Sequence, residues 1–111
     1  MKVKQEEHGD IMVLVIQGNI TIGEGDIILR KEVSKALEQG FLKIVLNLDK
    51  VKYMDSSGVG EMVAAFTTVK NKGGELKLAN LHPKILDLLQ ITALVTVFSI
   101  YDTQKDALNS F

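Results

Sequence analysis

The chain has 111 residues, 46% of them apolar and 24% charged, with a formal net charge of −1. That balance fits one globular domain around a single core and leaves little room for a deep, lidded substrate cleft. Interspersed charge without a basic stripe argues against direct contact with nucleic acid or an anionic membrane, and the absence of Cys removes thiol and disulfide chemistry.

The opening MKVKQEEHGD lacks the apolar h-region of a secretory signal, and the run Ile11 to Ile16 is far too short to cross a bilayer. A cytoplasmic location is the default expectation. The same segment reads as two strands reversing at Gly9-Asp10, the second apolar on both faces as a central strand would be. TIGEGD, Thr21 to Asp26, breaks the pattern, and a helix follows in which Leu29, Val33, Ala36 and Leu37 share a face. Gly40 suits a left-handed stop for that helix. FLKIVLNLD is the third strand, and its two-sided burial after a helix suggests a partly parallel sheet.

After YMDSSGVGEM, the residues Val59, Met62, Val63, Phe66 and Val69 recur at helical spacing, and Gly73-Gly74 ends the helix near Lys72. ELKLAN gives a fourth strand, and Pro83 fits the first turn of the helix PKILDLLQ. VTVFSIYD offers a fifth strand, then TQKDALNSF a last helix with Thr103 and Asp106 spaced as a capping box. No linker or repeat interrupts the series. Residues 1–111 therefore read as a single α/β domain in the order β-β-α-β-α-β-α-β-α.

Three site chemistries fail on spacing. A nucleophile elbow needs Gly two residues before its serine, where Ser56 has Met54 and Ser57 has Asp55, and only His8 and His82 could serve as base. A metal would have to rely on scattered carboxylates, so no metal site is expected. GEGD, Gly23 to Asp26, resembles part of a phosphate loop, but Ile28 stands where a dinucleotide fingerprint needs its third glycine. Its structural reading is a turn whose Asp26 caps the following helix.

The segment Asp55-Ser56-Ser57-Gly58-Val59-Gly60-Glu61 is different in kind. One N-cap explains one polar residue, and here are three in a row. Gly58 and Gly60 each cost about 1 kcal/mol against Ala inside a helix, which makes sense where something must approach the backbone closely. A helix N-terminus also welcomes an anion, so a serine there can carry a phosphate without unfolding its domain.

LNLDKVKYMDSSGVGEM resembles the signature of the STAS family, in particular the anti-sigma factor antagonists of bacteria: an apolar strand, a short link, then Asp-Ser-Ser/Thr-Gly-(Leu/Val)-Gly opening a helix. The later GGELKLANLHPKILDLLQITALVTVFSIYDTQKDAL is similar to the family's second half, so the likeness covers most of the chain. It implies a mixed β-sheet of roughly four to five strands covered by about four helices, in line with the order above. It also implies a non-enzymatic regulator without a cofactor. In that family the serine directly after the Asp, here Ser56, is phosphorylated by an anti-sigma factor with serine kinase activity. The unphosphorylated antagonist binds that kinase and frees the sigma factor; a metal-dependent serine/threonine phosphatase reverses the modification.

On this expectation the partner surface comprises Asp55, Ser56, Ser57, Gly58, Val59, Gly60 and Glu61. Asp55 orients the loop, Val59 pins the helix to the sheet, and Asp55 and Glu61 put acidic neighbours beside the phosphate. The segment NITIGEGDIILRK differs from what such antagonists often carry, in a region that usually adds to the partner surface. Alternative readings are a STAS module sensing a nucleotide or lipid, or a scaffold subunit of a signalling or transport assembly. The start at Met1 and the lack of membrane spans weigh against a fragment of an anion transporter.

Overall fold

The computed structural model describes all 111 residues. Strands β1 (Lys2–His8) and β2 (Ile11–Gln17) form an antiparallel hairpin whose reversal uses Gly9 at φ 62°. Helix α1 (Gly25–Glu38) then crosses to β3 (Lys43–Lys50), α2 (Ser56–Asn71) to β4 (Glu75–Ala79), and α3 (Pro83–Ile91) to β5 (Ser99–Tyr101); α4 (Gln104–Asn109) closes the chain. The sheet order is β1-β2-β3-β4-β5, with every pair after the first parallel. The mixed five-stranded sheet and four helices agree with the fold expected from the sequence.

Alternation along each strand sends side chains to two unequal layers. Met12, Leu14 and Ile16 of β2, Ile44, Leu46 and Leu48 of β3, and Leu76 and Leu78 of β4 form the large core with Leu29 and Val33 of α1, Met62 and Val69 of α2, and Ile85 and Leu89 of α3. On the other face Val13, Val45 and Ala79 meet Ala107 of α4, with Tyr101, Leu108 and Phe111 at the margin. Lys77, on this second face, is buried. Its Nζ donates to the Ser110 carbonyl at 3.0 Å and to the Ser110 hydroxyl at 2.8 Å, and it lies 4.2 Å from the centre of the Phe111 ring. A desolvated ammonium is tolerated there because oxygens and a ring face replace its water.

The helix stops follow their glycines. Gly40 and Gly73 are left-handed, and the amides of Phe41 and Gly74 return to the carbonyls of Ala36 and Val69 as a Schellman turn requires. The fifth strand is shorter than the apolar run VTVFSIYD suggests. Leu94 and Val95 donate to the Leu89 carbonyl, Phe98 donates to the Leu94 carbonyl, and Phe98 packs edge-on against Phe66 at 5.5 Å. Those apolar side chains reach the core from a turn, leaving only Ser99–Tyr101 to pair.

That turn also ends α3 without a glycine. Ala93 takes φ 59° and its amide donates to the Gln90 carbonyl, so an alanine holds the left-handed position of a Schellman stop. The conformation costs an L-residue roughly 1–2 kcal/mol, against roughly 0.5–1 kcal/mol of extra chain entropy for a glycine in the unfolded state. Ala93→Gly should therefore stabilise the protein by roughly 0.5–1 kcal/mol, read as an upward shift of the urea midpoint at unchanged slope.

Candidate functional site

The parallel strands direct their following loops to one end of the sheet, and the Asp-Ser-Ser segment lies there between β3 and α2. Asp55 is the N-cap of α2, in extended backbone, and its carboxylate serves two elements at once. Oδ1 accepts from the Gly58 amide at 2.8 Å, and Oδ2 accepts from the Ile22 amide at 2.9 Å in the loop before α1. These two N–H donors, Ile22 first and Gly58 second, hold the Asp55 carboxyl below its ordinary range. Among the three polar residues, the cap is therefore Asp55, which leaves Ser56 and Ser57 free of that task.

Ser56 is the first residue of α2 and is exposed; Ser57, next to it, is half-buried. Exposed apolar side chains surround this corner: Ile22 is 72% accessible, Tyr53 56% and Ile27 55%. Ile22 is the residue Asp55 holds by its amide, and Ile27 lies in the first turn of α1.

Beneath the serines runs the backbone of Ile20. It makes an isolated parallel bridge with Met54, its amide donating to the Tyr53 carbonyl at 3.2 Å and its carbonyl accepting from the Asp55 amide at 3.3 Å. Gly58 packs on that carbonyl so closely that a Cβ would sit 2.0 Å from the oxygen. Gly25, in the first turn of α1, meets the same stretch: a Cβ there would lie 2.5 Å from the Asn19 carbonyl oxygen and 2.7 Å from Ile20 Cα. The close approach that the sequence suggests for both motif glycines is thus internal at Gly58. Gly60 is exposed, with open space where a Cβ would go.

Other site residues sit differently from a simple surface strip. Val59 is buried in the main core, which agrees with its pinning role. Glu61 is also buried, and both carboxylate oxygens accept from Arg30 of α1, at 3.0 Å from Nε and 2.9 Å from Nη2. The expected acidic neighbour one turn beyond Ser56 is therefore already neutralised, and the hydrogen bonds to Glu61 raise the Arg30 pKa further. Asp26 is not the N-cap of α1. It lies inside the first turn, and its Oδ1 accepts from the amides of Gly23 at 3.0 Å and Ile27 at 2.8 Å. Ile20, Ile22 and Arg30 belong to the site although nothing local in the sequence marks them; only the GEGD turn beside them hinted at a structured loop.

A fold, a loop and a serine of this kind can be compared with known proteins. The STAS domain family model matches residues 2–107, and the chain belongs to that family. It is 40% identical over 98 residues to an anti-sigma-B factor antagonist of Bacillus subtilis, covering 88% of this chain and 86% of that one. It is 27% identical over 109 residues to an anti-sigma F factor antagonist of Paenibacillus polymyxa, covering 97% and 92%. Among solved structures, a Thermotoga maritima protein superposes with a TM-score of 0.89 at 27% identity, covering 96% and 92%. The unphosphorylated form of the anti-sigma factor antagonist SpoIIAA shares the fold, with a TM-score of 0.74 at 22% identity, covering 97% and 96%. No helix here is long and apolar enough to cross a membrane.

Two measurements probe the corner. Gly58→Ala must push the Ile20 carbonyl away and should cost at least about 1–3 kcal/mol of stability, whereas Gly60→Ala meets nothing and should gain up to about 1 kcal/mol from helix propensity. Urea titration of both variants checks the contrast. The second concerns pH. Because the folded-state pKa of Asp55 is depressed, its contribution is present above the unfolded-state value and is lost as pH falls through the folded-state value. Asp55→Ala should lower Tm at neutral pH, and the gap to the unaltered chain should close in acid; a gap constant with pH would mean that the charge contributes nothing.

Proposed function

We propose that the protein is an anti-sigma factor antagonist whose binding face centres on Ser56 and is switched by phosphorylation of that residue. It acts by binding rather than by catalysis. With Ser56 unmodified, the corner made by Ser56, Ser57, Gly60 and the apolar side chains Ile22, Ile27 and Tyr53 docks on an anti-sigma factor with serine kinase activity, and the sigma factor is released. Asp55, Gly58, Val59 and Glu61 serve the same face from beneath, by fixing the loop and the first turns of α2. Transfer of phosphate to Ser56 ends the complex, and a serine/threonine phosphatase restores it.

The observation that carries this reading is the exposure of Ser56 at the capped start of α2, on a chain whose relatives are named anti-sigma factor antagonists. The added group brings about −1.5 to −2 charges. At the helix start it meets a favourable local field inside its own domain. In a docked interface the same charge must be stripped of water, and weakening the complex a thousandfold takes only about 4 kcal/mol.

Incubation with the cognate kinase and ATP should add one phosphate by intact-mass measurement, and Ser56→Ala should abolish it. Ser56→Asp should weaken the kinase complex strongly while leaving Tm nearly unchanged. Phosphate found on another residue, or an undiminished affinity of Ser56→Asp, would refute the proposal.

A further inference from the structure

At the same end of the sheet as Ser56, two loops meet over a hollow of about 370 Å³ lined by Lys52, His82, Pro83 and Lys84. Lys52 comes from the β3–α2 connection that leads into Ser56; the other three open α3 after β4. The start of α3 is tied to the end of β3 by the His82 side chain, whose Nε2 is hydrogen-bonded to the Asp49 carbonyl. The imidazole is thereby committed to bridging and does not cap its own helix.

Neither lysine is in an ion pair of the chain, and α3 carries no acidic residue in its first turn and no side-chain cap. By contrast, Asp26 and Asp55 supply carboxylates at the starts of α1 and α2. Two exposed lysines without an ion-pair partner thus line one hollow, beside the exposed Tyr53.

We propose that this basic hollow receives an acidic segment of the protein partner that reads Ser56. The inference rests on the functional reading above and adds to it where the partner's negative charge must lie. A small anion is held by buried, converging donors, whereas Lys52 and Lys84 are exposed on an open rim. Exposed lysines next to an exposed aromatic suit the polar margin of a protein interface. At such a margin, charge acts mainly by steering the encounter, which raises the association rate and makes it sensitive to salt.

The test compares the unaltered chain with Lys52→Glu/Lys84→Glu in stopped-flow association with the serine kinase that phosphorylates Ser56, at low and high salt. Both lysines are exposed, so folding should survive, and an unchanged Tm verifies it. The double variant should associate at least about tenfold more slowly at low salt, and the difference should shrink as salt rises. Equal rates with equal salt dependence, while the unaltered chain binds and is phosphorylated, would overturn the basic hollow alone. Failure of the unaltered chain to bind or accept phosphate would instead overturn the underlying reading, and the inference with it. Calorimetry with inorganic phosphate and with ATP covers the rival occupant: saturable binding lost in the double variant would assign the hollow to a small anion and refute the proposal.

Discussion

The backbone of Ile20 passes between the first turns of two helices, and the corner that carries Ser56 is built around that passage. On one side Gly25 brings α1 against it; on the other, Gly58 brings α2 against its carbonyl. Neither contact leaves room for a single methyl. The peptide groups of Ile20 are meanwhile satisfied by Tyr53 and Asp55, so a stretch outside the regular sheet is hydrogen-bonded as firmly as a strand. One carboxylate then finishes the joint, with Asp55 bonding Gly58 below and Ile22 across the gap. Loop, strand end and helix start are thus all tied to the same few atoms.

These ties matter for the charge switch proposed at Ser56. A serine on a yielding loop could turn its new phosphate toward solvent, and a partner could follow it. Here Ser56 is fixed at the first position of a helix whose cap is already occupied. The nearby buried acid is engaged as well: Glu61 faces Arg30 in a two-pronged ion pair rather than facing the surface. Truncating either partner of such a pair leaves a desolvated charge or an empty fork, so its clearest role is to hold α1 against α2. A phosphate on Ser56, as proposed, would therefore change the charge of the face more readily than its shape.

Much of this was legible in the residues. Gly9-Asp10, Gly40, Gly73 and Pro83 announce the turns and helix ends they occupy, since each signal is local and the backbone needs that residue there. The Asp-Ser-Ser-Gly run gave the serine its place at a helix start. Errors arise where a local signal has two solutions. VTVFSIYD is apolar enough for a strand, but a turn let Leu94, Val95 and Phe98 reach the core without a ladder. Gly58 promised a close approach, and only the fold says that Ile20 makes it. Pairings across the chain, such as Arg30 with Glu61 or Lys77 with Ser110, depend on how α1, α2 and α4 lie on the sheet, which no short window encodes.

The same limit applies to charge. Read along the chain, lysines and carboxylates alternate and nearly cancel, which suggests a featureless surface. Folding sorts some of them: at the starts of α1 and α2 the carboxylates are taken up by backbone amides, while Lys52 in a loop and Lys84 in the first turn of α3 have no ion-pair partner. Asp26 and Asp55 spend their oxygens on Gly23, Ile27, Ile22 and Gly58, whereas Lys52 and Lys84 keep their charge available to solvent. The end of the sheet that carries Ser56 consequently presents apolar side chains with a positive margin. A phosphate on Ser56, as proposed, would set negative charge beside that margin and so alter the feature of the surface most sensitive to salt.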